Sequence, residues 1–203
     1  MEVEREALIR RSHFSETEQQ IMPHQKFSSF FGDGAYVLVP QAPTFWMQGE
    51  NGMTRGQTND IYNVALMALI QDFVKSNPKI DPKRIYVGGC SNGGYMSLKL
   101  ILEHPDYFAA GYISALAYNN EFITDTQVQS IKNVPIWFVH SKDDSTTKPD
   151  ETVVPLYKRL KEAGAKKTSI SVIMTTLLTL PDFMVEKIIT ILVTGLGSTR
   201  MPM

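Results

Sequence analysis

Ile85-Tyr86-Val87-Gly88-Gly89-Cys90-Ser91-Asn92-Gly93-Gly94 is the stretch of this sequence that decides the fold. It opens with three bulky, β-favouring residues. The residues that follow, from Tyr95 to Glu103, carry apolar side chains at helical spacing and stop before Pro105. We therefore expect a buried strand, a tight glycine-lined turn centred on Ser91, and an amphipathic helix. A Gly-x-Ser-x-Gly turn in that context is typical of a nucleophilic serine, because the sharp turn exposes its hydroxyl group.

The segments around this turn alternate between short β-rich runs and longer amphipathic runs, which is typical of βαβ units in a parallel sheet. Further strands are predicted at 35–39, 109–114, 136–139 and 170–173, and further helices at 59–77 and 155–163. Thr58 or Asn59 is expected to cap the first of these helices. Its apolar side chains at helical spacing are Ile61, Val64, Ala65, Ala68, Leu69 and Phe73.

The domain organisation predicted from this pattern is a single domain over residues 1–203, with a mostly parallel sheet and helices on both faces. The alternating pattern occupies residues 31–168. Residues 1–30 are polar without a clean period, and residues 169–203 are rich in Thr, Leu, Ile and Met, so both ends are atypical.

Composition excludes several classes of partner. A formal net charge of −1 argues against a nucleic-acid or anionic-membrane surface, which usually requires a basic excess. No apolar membrane segment or signal-peptide pattern is visible, so a cytoplasmic location is expected. Metal-ligand spacings, a phosphate loop and a dinucleotide fingerprint are also missing from the sequence, so we expect neither metal nor cofactor. The expected partner is a small-molecule substrate, and the sequence leaves the oligomeric state open.

Cys90 offers a rival nucleophile, in a Gly-x-Cys-x-Gly register. That register needs glycines at positions 88 and 92, and position 92 is Asn. The serine register therefore fits better, and Cys90 is expected to be a small thiol behind the turn. The backbone N–H of Asn92, at the start of the helix, is then the expected oxyanion-hole donor.

A catalytic acid should follow a later strand, since nucleophiles of this kind are followed in chain order by Asp or Glu and then by His. The strand at 136–139 leads into His140 and then into Asp143 and Asp144. Either aspartate could serve. A His-small-x-x-Asp spacing counted from His140 favours Asp144.

No histidine follows Asp144, so the expected base is absent. The four histidines are His13, His24, His104 and His140. His104 lies at the end of the helix after Ser91 and His140 belongs to a strand end, whereas a base from the first 30 residues would need an unusual topology. Without a base a serine hydroxyl is a weak nucleophile at neutral pH.

The middle of the chain resembles a known family, on three stretches: Phe31 to Pro43, Ile80 to Gly94 and Trp137 to His140. Over about residues 27–168 it is similar to bacterial prolyl-oligopeptidase-like and feruloyl-esterase-like α/β-hydrolases. The resemblance implies the α/β-hydrolase fold, with Ser91 and Asp144 as members of a catalytic triad. It also implies an esterase acting on small acyl or aryl esters, including those that decorate plant polysaccharides. Members of the family are longer at both ends, so we expect this chain to be incomplete there, through truncation or a disrupted reading frame.

The function predicted from the sequence is therefore that of a serine hydrolase cleaving carboxylic esters of the feruloyl, acetyl or other small acyl type. Two alternatives stay open. One is a peptidase of the prolyl-oligopeptidase type; the other is a catalytically inert hydrolase-fold protein that binds a ligand. Trp46, in the loop after the first clear strand, is a candidate for the substrate pocket, with packing beneath the loop as its alternative. Glu50, Asn51 and Arg55 follow in a polar loop that could contact substrate or only solvent.

Overall fold

The computed structural model describes residues 35–173 and 189–194. Its strands in chain order are β1 (Ala35–Leu38), β2 (Gln48–Gly49), β3 (Gly52–Met53), β4 (Ile85–Cys90), β5 (Ala110–Ser114), β6 (Ile136–Ser141), β7 (Ser169–Ile173) and β8 (Ile189–Thr194). The helices are α1 (Asn63–Ser76), α2 (Asn92–Glu103), α3 (Asp125–Ile131) and α4 (Val153–Glu162), with a 3-10 turn at Asn120–Phe122.

The main sheet runs in the order β1-β8-β4-β5-β6-β7, and β2 and β3 form a separate short hairpin. Strands β4, β5, β6 and β7 pair in parallel with one another, in that order. The prediction of a mostly parallel sheet is therefore confirmed. The predicted strands at 35–39, 109–114, 136–139 and 170–173 all exist, with ends that differ by one or two residues. Strand β8 was not predicted; it lies antiparallel between β1 and β4.

The helices build one layer against this sheet. Helix α2 packs on β4 and β5, and successive helices contact one another from α1 to α4. Gly111 of β5 faces this layer, since a Cβ there would lie 2.6 Å from Cδ1 of Ile101. Its neighbour Tyr112 and the paired Trp137 point to the other face, where they stay 45% and 50% exposed. Helices on that second face stay a prediction, which the described residues do not test.

Helix α1 begins later than predicted. The prediction that Thr58 or Asn59 caps it was wrong: the helix starts at Asn63, and the carboxylate of Asp60 accepts the N–H groups of Tyr62 and Asn63 at 3.2 and 2.8 Å.

Only some of the apolar side chains that the sequence places at helical spacing on α1 pack against the core. Ile61 precedes the helix and is 48% exposed, and Val64 is 59% exposed, whereas Leu66, Met67 and Ile70 are buried. The residues at 64–70 are all apolar, so spacing alone could not select the face, and the bulkier side chains took the core. No helix within the described ranges combines the length and apolarity needed to span a membrane.

Candidate active site

Ser91 lies at the junction that the sequence predicted. It follows Cys90, the last residue of β4, and precedes Asn92, the first residue of α2. Its backbone has φ 54° and ψ −114°, a conformation that residues other than glycine rarely adopt. The turn is held to the sheet because the Ser91 N–H donates to the carbonyl oxygen of Ser114 at 2.9 Å. A strained strand-to-helix turn is the geometry that exposes a serine hydroxyl for nucleophilic attack.

Two glycines around Ser91 are required by close backbone contacts. A Cβ at Gly89 would lie 2.5 Å from the carbonyl carbon and oxygen of Gly93. A Cβ at Gly94 would lie 2.8 Å from the carbonyl oxygen of Ser114. Since these obstacles are backbone atoms rather than flexible side chains, the turn can close only with glycine at both positions.

Asn92 has both a backbone and a side-chain place in this turn. As the first residue of α2 its N–H belongs to the group that has no partner inside the helix, which is what an oxyanion donor requires. Its buried side chain accepts a hydrogen bond from the backbone N–H of Met47, with 3.0 Å between N and Oδ1. Sequence reasoning missed this second contact, which fixes the loop after β1 to the start of α2. The role of Asn92 as oxyanion donor stays a prediction.

The two candidate acids differ in their surroundings. Asp144 accepts the N–H groups of Thr146 and Thr147 on Oδ1 at 2.9 and 2.8 Å, and the hydroxyl of Thr147 on Oδ2 at 2.7 Å. Asp143 is exposed and accepts from the hydroxyl of Ser141. Three hydrogen bonds from the residues that follow it therefore hold the Asp144 carboxylate in a defined orientation.

The pKa of Asp144 follows from these contacts. Partial burial of the carboxyl raises its pKa, but the hydrogen bonds from Thr147 and Thr146 and the nearby His140 ring outweigh that effect and hold it below its ordinary value. Asp144 is therefore a carboxylate at neutral pH, as an acid that orients a histidine must be.

His140 is fully buried beneath this turn. Its Nε2 lies 2.6 Å from the carbonyl oxygen of Thr147 and 3.5 Å from Oδ2 of Asp144. Burial lowers the pKa of the imidazole, an effect only partly offset by Thr147 and Asp144. A side chain with no exposed surface cannot meet a substrate, so His140 does not supply the missing base.

The other histidines do not supply a base beside Ser91 within the described residues. His104 ends α2, where its N–H donates to the carbonyl of Leu100. A helix of that length separates it from Ser91 by about 18 Å. His13 and His24 lie outside the described residues.

Trp46 packs beneath the loop, as in the second of the two roles considered for it. Its side chain is 0% exposed and meets the ring of Tyr62 edge to face, with 6.0 Å between centroids. Any direct contact of Trp46 with a substrate stays a prediction.

A cleft of about 690 Å³ lies beside the same loop, and its lining includes Glu50, Asn51 and Asp60. Asp60 is buried, its pKa is raised mainly by that burial, and Oδ2 accepts from the hydroxyl of Tyr95 on α2 at 3.3 Å. Arg55 leaves this loop toward the acid turn, where its Nη1 donates to the carbonyl of Thr146 at 3.2 Å. The polar loop that the sequence singled out is thus connected to both the helix after Ser91 and the turn that holds Asp144.

Comparison with known proteins agrees with this architecture. A sequence model of the prolyl oligopeptidase family matches residues 50–129. The solved structure of a thermostable esterase superposes with a TM-score of 0.58 at 26% identity, over 68% of this chain and 36% of that one. The chain is a member of the α/β-hydrolase superfamily.

Two further proteins are similar to parts of this chain. Feruloyl esterase B of Thermothelomyces thermophilus is 27% identical over 100 residues, which are 47% of this chain and 33% of the esterase. The acylaminoacyl peptidase of Pyrococcus horikoshii is 19% identical with a TM-score of 0.47, over 56% of this chain and 23% of the peptidase. The chain therefore spans about a third of the length of the two esterases that it matches.

Proposed function

We propose that this chain is a serine hydrolase of carboxylic esters with small acyl groups, of the feruloyl or acetyl type, in which Ser91 is the nucleophile. The observation that carries the proposal is the backbone of Ser91, held at φ 54° between β4 and α2 by glycines that no other residue could replace without a clash. Such strain persists where the surrounding structure fixes it, and it is concentrated at functional sites. The similarity to two esterases supports an ester as the substrate class.

The proposed reaction assigns each group a step. The Ser91 hydroxyl oxygen attacks the ester carbonyl, the Asn92 N–H stabilises the negative oxygen that forms, and the alcohol leaves with a proton. Water then cleaves the acyl-enzyme and restores the free hydroxyl. Asp144 is the acid that orients a histidine, which takes the Ser91 proton and returns it to the leaving group.

The histidine of that reaction is not identified, because position 140 holds the last histidine of this sequence. The proposal therefore separates two properties of Ser91. Its position makes it open to covalent modification, whereas rapid turnover needs a base that activates it.

A peptidase is the second candidate, and the match to the prolyl oligopeptidase family favours it. Ester and amide hydrolysis share the nucleophile and the oxyanion donor, so the site alone does not separate them. The two activities are separated by comparing hydrolysis rates on an ester and an amide that carry the same acyl group.

The experiment combines a fluorophosphonate probe with p-nitrophenyl acetate, and locates the label by mass spectrometry of peptides. We expect label on Ser91, loss of label in Ser91→Ala, and unchanged label in Ser130→Ala, whose serine is exposed on α3 and remote in sequence from the turn. Label on Cys90 would favour the cysteine register. A folded chain that takes no label and turns over no ester would support the inert binding protein instead. Turnover of the amide as well as the ester of a matched pair would favour the peptidase, and turnover of the ester alone would favour the esterase.

A further inference from the structure

The imidazole of His140 has one hydrogen-bond partner and one orphan nitrogen. Its Nε2 lies 2.6 Å from the carbonyl oxygen of Thr147, and its Nδ1 is buried with no partner in the described part of the chain. A carbonyl oxygen only accepts, so Nε2 must carry the hydrogen. We assign the ring as the neutral Nε2–H tautomer, since a charged ring would bury a second N–H without an acceptor.

The residue that His140 holds is itself part of the acid turn. Thr147 offers three groups: its carbonyl accepts from His140, while its N–H and its hydroxyl both donate to the Asp144 carboxylate. Thr147 is 2% exposed, so these bonds do not have to compete with water. His140 and Asp144 therefore hold the same residue through different groups, and His140 Nε2 itself lies 3.5 Å from Oδ2 of Asp144.

We propose that His140 is a positioning residue that fixes the carboxylate of Asp144 by holding the carbonyl of Thr147; in calling Asp144 the acid, the proposal rests on the proposed function. If the donor at Nε2 is removed, the Thr147 carbonyl is left buried without a partner, and an unpaired buried carbonyl drives the turn open toward water. The amides of Thr146 and Thr147 then leave Oδ1, and the carboxylate loses its orientation. At neutral pH the chemistry of His140 is to donate one fixed hydrogen bond.

Two substitutions of similar size separate this role from simple filling of the core. In His140→Gln the side-chain amide nitrogen reaches close to the place of Nε2, whereas in His140→Asn it reaches only the place of Nδ1. Phe138→Leu is the control for general destabilisation, because Phe138 lies two residues earlier on β6, on the same buried face. All are made in the full chain with ¹⁵N and ¹³C labelling. The readouts are amide hydrogen exchange and the titration of the Asp144 carboxyl carbon.

In His140→Asn we expect the Thr146 and Thr147 amides to exchange about tenfold faster relative to core amides, as expected when a buried hydrogen bond is lost. The pKa of Asp144 should rise toward its ordinary value. His140→Gln should restore both properties, and Phe138→Leu should leave both unchanged. Equal behaviour of the Gln and Asn variants would overturn the proposal.

If His140→Asn does not fold, the ring ¹⁵N shifts of the wild-type chain decide the matter. An Nε2–H tautomer at pH 7 supports the role, and an Nδ1–H tautomer or a charged ring contradicts it. None of these readouts needs activity, so they hold even if Ser91 takes no label. Failure of the proposed function would appear only in the labelling experiment.

Discussion

The backbone N–H of Met47 donates to the side-chain oxygen of Asn92, across 3.0 Å and in a buried place. Through this bond the residue that follows the proposed nucleophile also anchors the loop that leaves β1. Asn92 has a second polar group, Nδ2, which is buried and has no partner among the described residues. The two polar atoms of the Asn92 side chain therefore differ. Oδ1 accepts a hydrogen bond, whereas Nδ2 can be replaced without breaking a hydrogen bond to any described residue.

The first prediction concerns Asn92 and the stability of the chain. Asn92→Ala should lower the free energy of unfolding by about 1–3 kcal/mol, because the Met47 N–H is left buried and unpaired. Asn92→Asp should retain most of the stability, since a carboxylate keeps the acceptor and is favoured at a helix N-terminus. Urea unfolding of both variants measures the difference. If Asn92→Asp is less stable than Asn92→Ala, this account of the contact with Met47 is wrong.

The second prediction concerns the glycines of the turn. Gly89→Ala should destabilise the chain by at least about 1–3 kcal/mol, because its Cβ would enter the backbone of Gly93. Gly111→Ala is the matched control: the one close contact of its Cβ is with Cδ1 of Ile101, the far end of a flexible side chain, and its other neighbours lie at 3.8 Å. Urea midpoints compare the two. Equal losses would show that the backbone at Gly89 is free to move.

The third prediction is a dependence of stability on pH that arises from His140. Burial lowers the pKa of the His140 imidazole in the folded chain below its ordinary value of 6.5. At pH values between the folded and the unfolded pKa, the unfolded chain therefore binds more protons than the folded one. The contribution of His140 is therefore fully present above pH 6.5 and is lost as the pH falls through its folded pKa, at up to about 1.4 kcal/mol per pH unit.

The comparison between wild type and His140→Gln isolates that contribution. Glutamine does not titrate, so the loss of stability just below pH 6.5 should be smaller in the variant, measured by urea unfolding at several pH values. Asp144 acts at lower pH: its lowered pKa stabilises the fold above the ordinary value of 3.8 and loses that effect as the pH falls. If the free energy of unfolding depends on pH in the same way in both proteins, His140 is not the source of the pH dependence.

The fourth prediction uses the two tryptophans, which lie in opposite environments. Trp46 is 0% exposed and Trp137 is 50% exposed, so acrylamide should quench Trp137 strongly and Trp46 weakly. Trp46→Phe and Trp137→Phe leave one fluorophore each for the measurement. Strong quenching of Trp46, or its protection by an added ester, would favour the pocket alternative for that residue over packing.

The sequence predicted the part of the fold in which local signals agree. The strand before Ser91 and the helix after it were predicted because bulky residues, glycines and apolar spacing follow one another without ambiguity. Asp144 could also be favoured by counting from His140, and the turn that orients it carries a further local signal. Two threonines follow at positions where an aspartate commonly accepts backbone N–H groups.

The remainder depended on contacts that spacing does not encode. The start of α1 moved to Asn63 because Asp60, rather than Thr58 or Asn59, accepts its first N–H groups. Helix α3 was not predicted, although Thr124 and Gln127 form a capping box at its start. The bond between Met47 and Asn92 joins residues 45 positions apart, and no pattern within one element could indicate it.

The antiparallel place of β8 between β1 and β4 also sets an order of assembly. Strands β4 to β7 can join through consecutive βαβ units, each closed by a short stretch of chain. Strand β1 pairs with β8 alone among the described strands, so Ala35 cannot pair until Thr194 has been synthesised. Contacts of such long range form late and slowly. During synthesis, β1 is the first of the described strands to be made and would therefore be the last of them to enter the sheet.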